Sequence, residues 1–180
     1  MDTPSTKVVP GLYISKEVIA EEQETKLIEY INKQSWNKKL TRWTQHYGYE
    51  YDYNTRNVNK KVDKIPNKLI DKFDFEFFEA DPDQCIVNRY LPGEGIAAHI
   101  DRDVFGDVIA SVSLGSDCCF NFTYEEWDIL VYVPRRSILY LTGDSRHLWK
   151  HEIRKRKTDT YDGVRKSRNI RYSLTFRTTK

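Results

Sequence analysis

The chemistry of this chain is concentrated first in His99-Ile100-Asp101. If residues 96–101 are extended, alternation puts the imidazole and the carboxylate on one face of a strand and Ile100 on the other. Both are metal donors, and one more imidazole would complete the two-histidine, one-carboxylate facial triad. That arrangement holds Fe(II) by one face and leaves the opposite positions open for a co-substrate and dioxygen. Short surface pairs of this composition are common, so the reading depends on a third ligand. Only four histidines are available, His46, His99, His147 and His151. His151 could close the triad from a later strand, and His147 is its rival.

A second constellation lies near the C-terminus. As a strand, residues 169–178 place Arg171, Ser173, Thr175 and Arg177 on one face and Tyr172, Leu174 and Phe176 on the other. Two arginines on a small, hydroxylated face are costly to bury without anionic partners. A dicarboxylate suits them, because guanidinium binds carboxylate bidentately and Tyr90 and Ser173 could add hydrogen bonds. Strand rise separates the two arginines by about 20 Å, so the two grip one small molecule only if their side chains converge or the strand curves. The plainer alternative is a basic edge strand with solvated arginines.

The elements that must position these groups follow from periodicity. A short strand is expected from Val8 to Ile14 and a helix over residues 20–33, with Leu27, Ile28 and Ile31 on its apolar stripe. Residues 40–53 read as a strand whose face is Tyr47, Tyr49, Tyr51 and Tyr53, serving either as core, the default, or as a stacking platform for bases. Residues 54–64, with Arg56, Lys60, Lys61 and Lys64, show no hydrophobic period and read as a mobile loop. Pro66 opens a short helix ending near Phe73. Strands follow over 84–91, with Ile86, Asn88 and Tyr90 on one face, and over 96–101, 108–115, 118–123, 129–133 and 137–142. Many short strands with helices confined to the first half predict an α+β fold, a β-sandwich or jelly roll with an N-terminal helical layer.

Composition sets outer bounds. The 180 residues suit one domain. The net charge of +2 is unevenly spread: residues 151–180 hold ten Lys/Arg against three Asp/Glu, hence +7, leaving −5 for residues 1–150. The run Arg154-Lys155-Arg156-Lys157 either faces something anionic or is a solvated loop. Cys85, Cys118 and Cys119 form neither a disulfide framework nor a zinc pattern. With no signal peptide and no apolar run of about 18 residues, a soluble intracellular protein with no membrane partner is expected.

Together these residues resemble the AlkB family of Fe(II)/2-oxoglutarate dioxygenases from about Pro10 to Arg177. The matching pieces are Asn88-Arg89-Tyr90-Leu91-Pro92-Gly93, His99-Ile100-Asp101, Ser111-Val112-Ser113-Leu114-Gly115, Gly143-Asp144-Ser145-Arg146, His151 and Arg171-Tyr172-Ser173-Leu174-Thr175-Phe176-Arg177. The resemblance implies a double-stranded β-helix (jelly-roll) core over about 84–180 and a nucleotide-recognition lid over about 40–64, within a single domain of residues 1–180. It implies Fe(II) held by His99, Asp101 and His151, with His147 not a ligand. It implies 2-oxoglutarate held distally by Arg171, Tyr90 and Ser173, with Asn88 and Arg177 around its metal-bound end, and dioxygen as the other co-substrate. Asp103, Tyr49 and, less directly, Trp43 fall where base contacts are expected.

Pro134-Arg135-Arg136-Ser137 and Leu148-Trp149 resemble the dioxygenase module of the animal tRNA wobble-uridine modifying enzyme, without room for the domains that flank it there. Asp103 instead matches the bacterial dealkylating members. The leading expectation is oxidative demethylation of alkylated bases in single-stranded DNA or RNA. The alternatives are hydroxylation of a modified wobble uridine in tRNA, a catalytically silent nucleic-acid-binding jelly roll, and protein hydroxylation.

Overall fold

The structure is a computed structural model that describes residues 9–52, 54–55 and 57–180. Val8, Tyr53 and Arg56, named in the strand and loop readings above, lie outside the described residues. In chain order the first elements are β1 (Leu12–Ser15), α1 (Glu21–Lys33), β2 (Trp43–Tyr47), β3 (Tyr49–Asp52), β4 (Asn57–Lys61), α2 (Asn67–Ile70), β5 (Gln84–Tyr90), β6 (Ile96–His99) and β7 (Phe105–Leu114). They are followed by β8 (Cys118–Tyr124), β9 (Trp127–Val133), β10 (Ser137–Leu141), α3 (Gly143–His147), β11 (Lys150–Ile153), β12 (Thr158–Tyr161), β13 (Val164–Ser167) and β14 (Arg171–Thr179).

Two antiparallel sheets face one another, one ordered β1-β10-β7-β14-β5-β2 and the other β6-β11-β8-β9. Alternation along the larger sheet makes two cores. Ala110, Val112 and Leu114 of β7, Cys85 and Val87 of β5, and Tyr172, Leu174 and Phe176 of β14 pack outward under Leu27 and Ile31 of α1 and Leu69 of α2. Phe105, Ile109, Tyr90 and Leu139 point inward and meet Phe120, Phe122, Val131 and Ile153 of the smaller sheet. The result is the expected jelly-roll core with a helical layer.

Helix α1 starts where Gln23 reaches back to accept the Ala20 amide at 2.9 Å. Its fully buried Glu24 accepts the Gly115 amide at 2.7 Å and is clamped by Arg135. The Pro134-Arg135-Arg136-Ser137 motif thus supplies a tie between helix and sheet.

Three expectations are corrected, and one hairpin is added. The tyrosine-rich strand is broken at Gly48, whose φ of +78° is left-handed and whose Cβ would stand 1.8 Å from the Asp83 carbonyl oxygen. Residues 57–61 are a strand, β4, paired with β3, not a loop. A sequence as polar as Asn57-Val58-Asn59-Lys60-Lys61 carries no apolar alternation, so backbone pairing left no hydrophobic trace. Helices are not confined to the first half, because α3 forms one turn at residues 143–147. The hairpin β12–β13 was unforeseen for the same reason as β4, since its second strand is exposed at every position. No helix among the described residues is long and apolar enough to cross a membrane.

Candidate functional site

Between the sheets lies a cavity of about 620 Å³, within the range of small-molecule sites. Strand register assembles its metal-capable end: His99 of β6 is the direct antiparallel partner of His151 of β11, and the ring centroids are 4.4 Å apart. Asp101 lies two residues beyond β6, so a loop and not strand alternation places it. Its Oδ1 is 3.4 Å from His99 Nε2 and 3.5 Å from His151 Nε2, and the donor atoms of the three residues lie within 4.8 Å of one another. Cis donors at about 2.0–2.2 Å from a shared ion stand about 3 Å apart, so small adjustments would let the three hold one metal.

The electrostatics suit a cation. His99 Nδ1 lies 2.8 Å from the Ala97 carbonyl, which can only accept, so Nδ1 carries the proton and Nε2 offers its lone pair. Burial pushes His151 down to about 4, against the opposing pull of Asp101, leaving a neutral imidazole near neutral pH. Burial would raise the Asp101 carboxyl, but the Arg177 guanidinium and the two imidazoles outweigh it and hold it well below the usual carboxylate range. Arg177 donates from Nε to Asp101 Oδ2 at 2.7 Å and from Nη1 to Gln84 at 3.1 Å.

Asp101 is also fixed from behind. Arg146 of α3, 1 % exposed, donates to the carbonyls of Asp101, Arg102, Phe105 and Gly106 at 2.8–3.3 Å. A buried guanidinium spent wholly on main-chain oxygens locks the 101–106 loop. Its position in Gly143-Asp144-Ser145-Arg146 was visible in the sequence, but not this use.

At the other end of the cavity Arg171 is 3 % exposed, with Nη2 on Ser113 Oγ at 2.8 Å and the rings of Tyr90 and Phe120 within 5.6 Å. Its Nε and Nη1 are buried without a partner among the described residues. A buried guanidinium with two unmet donor groups facing a cavity fits a carboxylate of a co-substrate. The two arginines therefore stand at opposite ends of one cavity, Arg177 by the donor cluster and Arg171 away from it. Asn88, Tyr90 and Ser173 line the wall between them.

A family model for the 2OG-Fe(II) oxygenase superfamily matches residues 12–177. The chain belongs to that superfamily. Within it, this oxygenase is 38% identical to the tRNA (carboxymethyluridine(34)-5-O)-methyltransferase ALKBH8 of Mus musculus over 84% of its own length and 25% of that protein. It is 35% identical to uncharacterized protein L905 of Acanthamoeba polyphaga mimivirus over 95% of its own length and 86% of the viral chain. The structure of OsALKBH1 superposes with a TM-score of 0.72 at 21% identity, covering 94% of this chain and 97% of that one, which shows the shared fold. The chain spans about a quarter of the mouse protein. It is an AlkB-family dioxygenase that uses Fe(II), 2-oxoglutarate and dioxygen.

Not every expected contact reaches the oxygenase cavity. Trp43 lies outside the lining, its ring 3.7 Å from the Arg89 guanidinium and 6.4 Å from the ring of Trp36. Register explains this, since Gln45, two residues on, reaches the Ile31 carbonyl of α1 while Arg42, just before the strand, lines the cavity. Tyr49 and Asp103 also lie outside the lining. Asp103 is exposed on the loop that Arg146 holds, and Tyr49 gives its carbonyl to Gln84 at 3.5 Å. His147 lies by Asp107 at 3.4 Å, away from the triad. Sequence reasoning missed Arg42, which lines the cavity and donates from Nε to Asn88 Oδ1 at 3.0 Å. A lone arginine before a strand carries no signal of this.

Proposed function

We propose that this oxygenase oxidises a base of a nucleic acid, and that a modified uridine of tRNA is the substrate its cavity fits best. In this reading His99, Asp101 and His151 hold the iron. Arg171, with Tyr90 and Ser173, takes the distal carboxylate of 2-oxoglutarate, and Asn88 and Arg177 stand by its metal-bound end. Bound iron supplies oxidative decarboxylation of 2-oxoglutarate coupled to hydroxylation of a C–H bond. The chain's own residues bind, orient and exclude water. The β3–β4 ribbon, carrying Tyr49, serves as the lid of this domain.

The observation that carries the choice of base is the charge of the cavity wall. Four guanidinium groups, Arg42, Arg102, Arg171 and Arg177, line it against one carboxylate, Asp101, which Arg177 already holds. N1-methyladenine and N3-methylcytosine carry a positive charge and would meet no free counter-charge on that wall. A neutral uridine needs no counter-charge, and one bearing a carboxylate would face guanidinium groups. The mouse relative is named for carboxymethyluridine 34 of tRNA, which agrees. Demethylation of a cationic N-methylated base is the second reading, favoured by Asp103 on the loop beyond Asp101.

The test is to incubate the enzyme with tRNA carrying carboxymethyl-type uridines and with oligonucleotides carrying N1-methyladenine or N3-methylcytosine, then digest to nucleosides for mass spectrometry. Gain of one oxygen on the uridine supports the proposal, and loss of methyl from the charged bases replaces it by the second reading. If no nucleoside changes and anaerobic Fe(II) with 2-oxoglutarate gives no visible charge-transfer band, a silent binding module remains.

A further inference from the structure

We infer that residues 154–157 and the β12–β13 hairpin form a rigid arm that grips the phosphate backbone of a single-stranded segment of the nucleic acid, the strand running from the cavity along the β6 edge. This inference rests on the nucleic-acid reading above and adds where the rest of the polymer lies.

Residues 154–168 contain seven Lys/Arg and two Asp/Glu. Most surface runs of this kind are solvated, but this one is built. Arg168 and Asp159 are both buried and form a paired contact, Nε to Oδ2 at 2.7 Å and Nη2 to Oδ1 at 2.8 Å. Asp159 also accepts the Cys119 amide of β8 at 3.2 Å. Arg168 donates from Nη1 to the Arg154 carbonyl at 2.9 Å and from its backbone amide to the Lys157 carbonyl at 2.8 Å. One ion pair thus clamps the basic run, the hairpin and the smaller sheet together. Buried pairs contribute little net stability, because desolvation offsets attraction. What this pair does achieve is to neutralise an acid internally and fix the arm.

The cations left outward are Lys155, Lys157 and Arg165, all exposed and none opposite a carboxylate among the described residues. Arg165 leans across to Thr158 at 3.3 Å, beside Lys157. The arm also abuts the cavity strand. The Gly93 amide donates to the Arg156 carbonyl at 3.2 Å, and a Cβ on Gly93 would stand 3.8 Å from Lys157 Cγ. Gly93 opens the turn into β6, whose Ala97, Ala98 and His99 line the cavity and which forms the edge of its sheet. From His99 back to Gly93 the chain covers at most about 20 Å, the fully extended limit for six residues, the reach of a few nucleotides. Along that edge Ala97 and Ala98 are small and exposed, so a backbone can pass.

The test uses the triple variant Lys155→Ala, Lys157→Ala, Arg165→Ala, whose positions are exposed and whose folding is checked by thermal unfolding. Binding of labelled single-stranded RNA, a dodecamer and a trinucleotide, is followed by anisotropy over a salt series, alongside phosphatidylserine vesicles. The expected result is at least a tenfold loss of dodecamer affinity. The slope of log affinity against log salt should also become shallower by about 0.7 per lost phosphate contact. Trinucleotide binding and substrate-free 2-oxoglutarate turnover should not change. A variant that binds the dodecamer with wild-type affinity and slope overturns the arm alone, as does one whose only loss is vesicle binding. Wild-type protein that binds neither RNA overturns the nucleic-acid reading itself, and the arm with it.

Discussion

Replacing Arg171 by methionine should stabilise the ligand-free protein while destroying its affinity for 2-oxoglutarate. The guanidinium is buried, no carboxylate faces it among the described residues, and Nε and Nη1 have no partner. Each unmet buried donor costs about 1–3 kcal/mol, and an unpaired buried charge costs more. Because His99 at the cavity's other end is 35% exposed, water can enter and discount that sum, so we take about 2 kcal/mol as the gain from removal. In a chain of this size 1 kcal/mol moves Tm by about 2–4 °C, so Arg171→Met should raise the ligand-free Tm by roughly 4–8 °C. Loss of a charged, buried partner should weaken co-substrate binding by about 2–5 kcal/mol, roughly 30- to 5000-fold. Thermal unfolding by circular dichroism, with and without 2-oxoglutarate and Mn(II), reads both effects. At a hundredfold excess over the wild-type Kd, the wild type should gain about 2.7 kcal/mol from the ligand and the variant less than about 1 kcal/mol. If the variant melts below the wild type without ligand, the argument from unmet donors is wrong. If 2-oxoglutarate still stabilises it as it does the wild type, Arg171 does not hold the co-substrate.

Three further outcomes are expected. Arg146→Met would leave the carbonyls of Asp101, Arg102, Phe105 and Gly106 without their donor, costing about 3–5 kcal/mol in unfolding free energy. Weaker Fe(II) binding should accompany it, with Arg146→Lys recovering part of both; unchanged Fe(II) titrations in the methionine variant would contradict a positioning role. For His151 the folded value of about 4 lies below the ordinary 6.5, so its neutral form stabilises the metal-free protein above pH 6.5. That contribution, about 3 kcal/mol, should drain away as pH falls from 6.5 towards 4, and urea midpoints of wild type and His151→Gln should converge over that window. Gly48→Ala combines a positive φ with a methyl driven onto the Asp83 carbonyl, and should cost about 3 kcal/mol or more in thermal unfolding.

Local pattern carried the fold because both of its periods are legible in single segments. Alternation in β5, β7 and β14 sorted Ile86, Asn88 and Tyr90 from Cys85 and Val87, and Arg171, Ser173 and Arg177 from Tyr172, Leu174 and Phe176, as the two cores require. The family resemblance likewise brought His99, Asp101 and His151 together, where spacing alone leaves His147 as a rival to His151. What no segment contains is register. That His99 lies directly across from His151, that Trp43 stacks on Arg89 while Arg42 turns to Asn88, and that polar β4 pairs with its neighbour β3 are choices made between strands, not within one. The placement of Asp101 is the clearest case: the strand that should have aimed it ends two residues early, and a guanidinium from α3, arriving 45 residues later in the chain, holds it instead. Alternation is a property of one strand's own backbone, whereas pairing and buried polar ties depend on which surfaces meet, and that is decided only when the whole core closes.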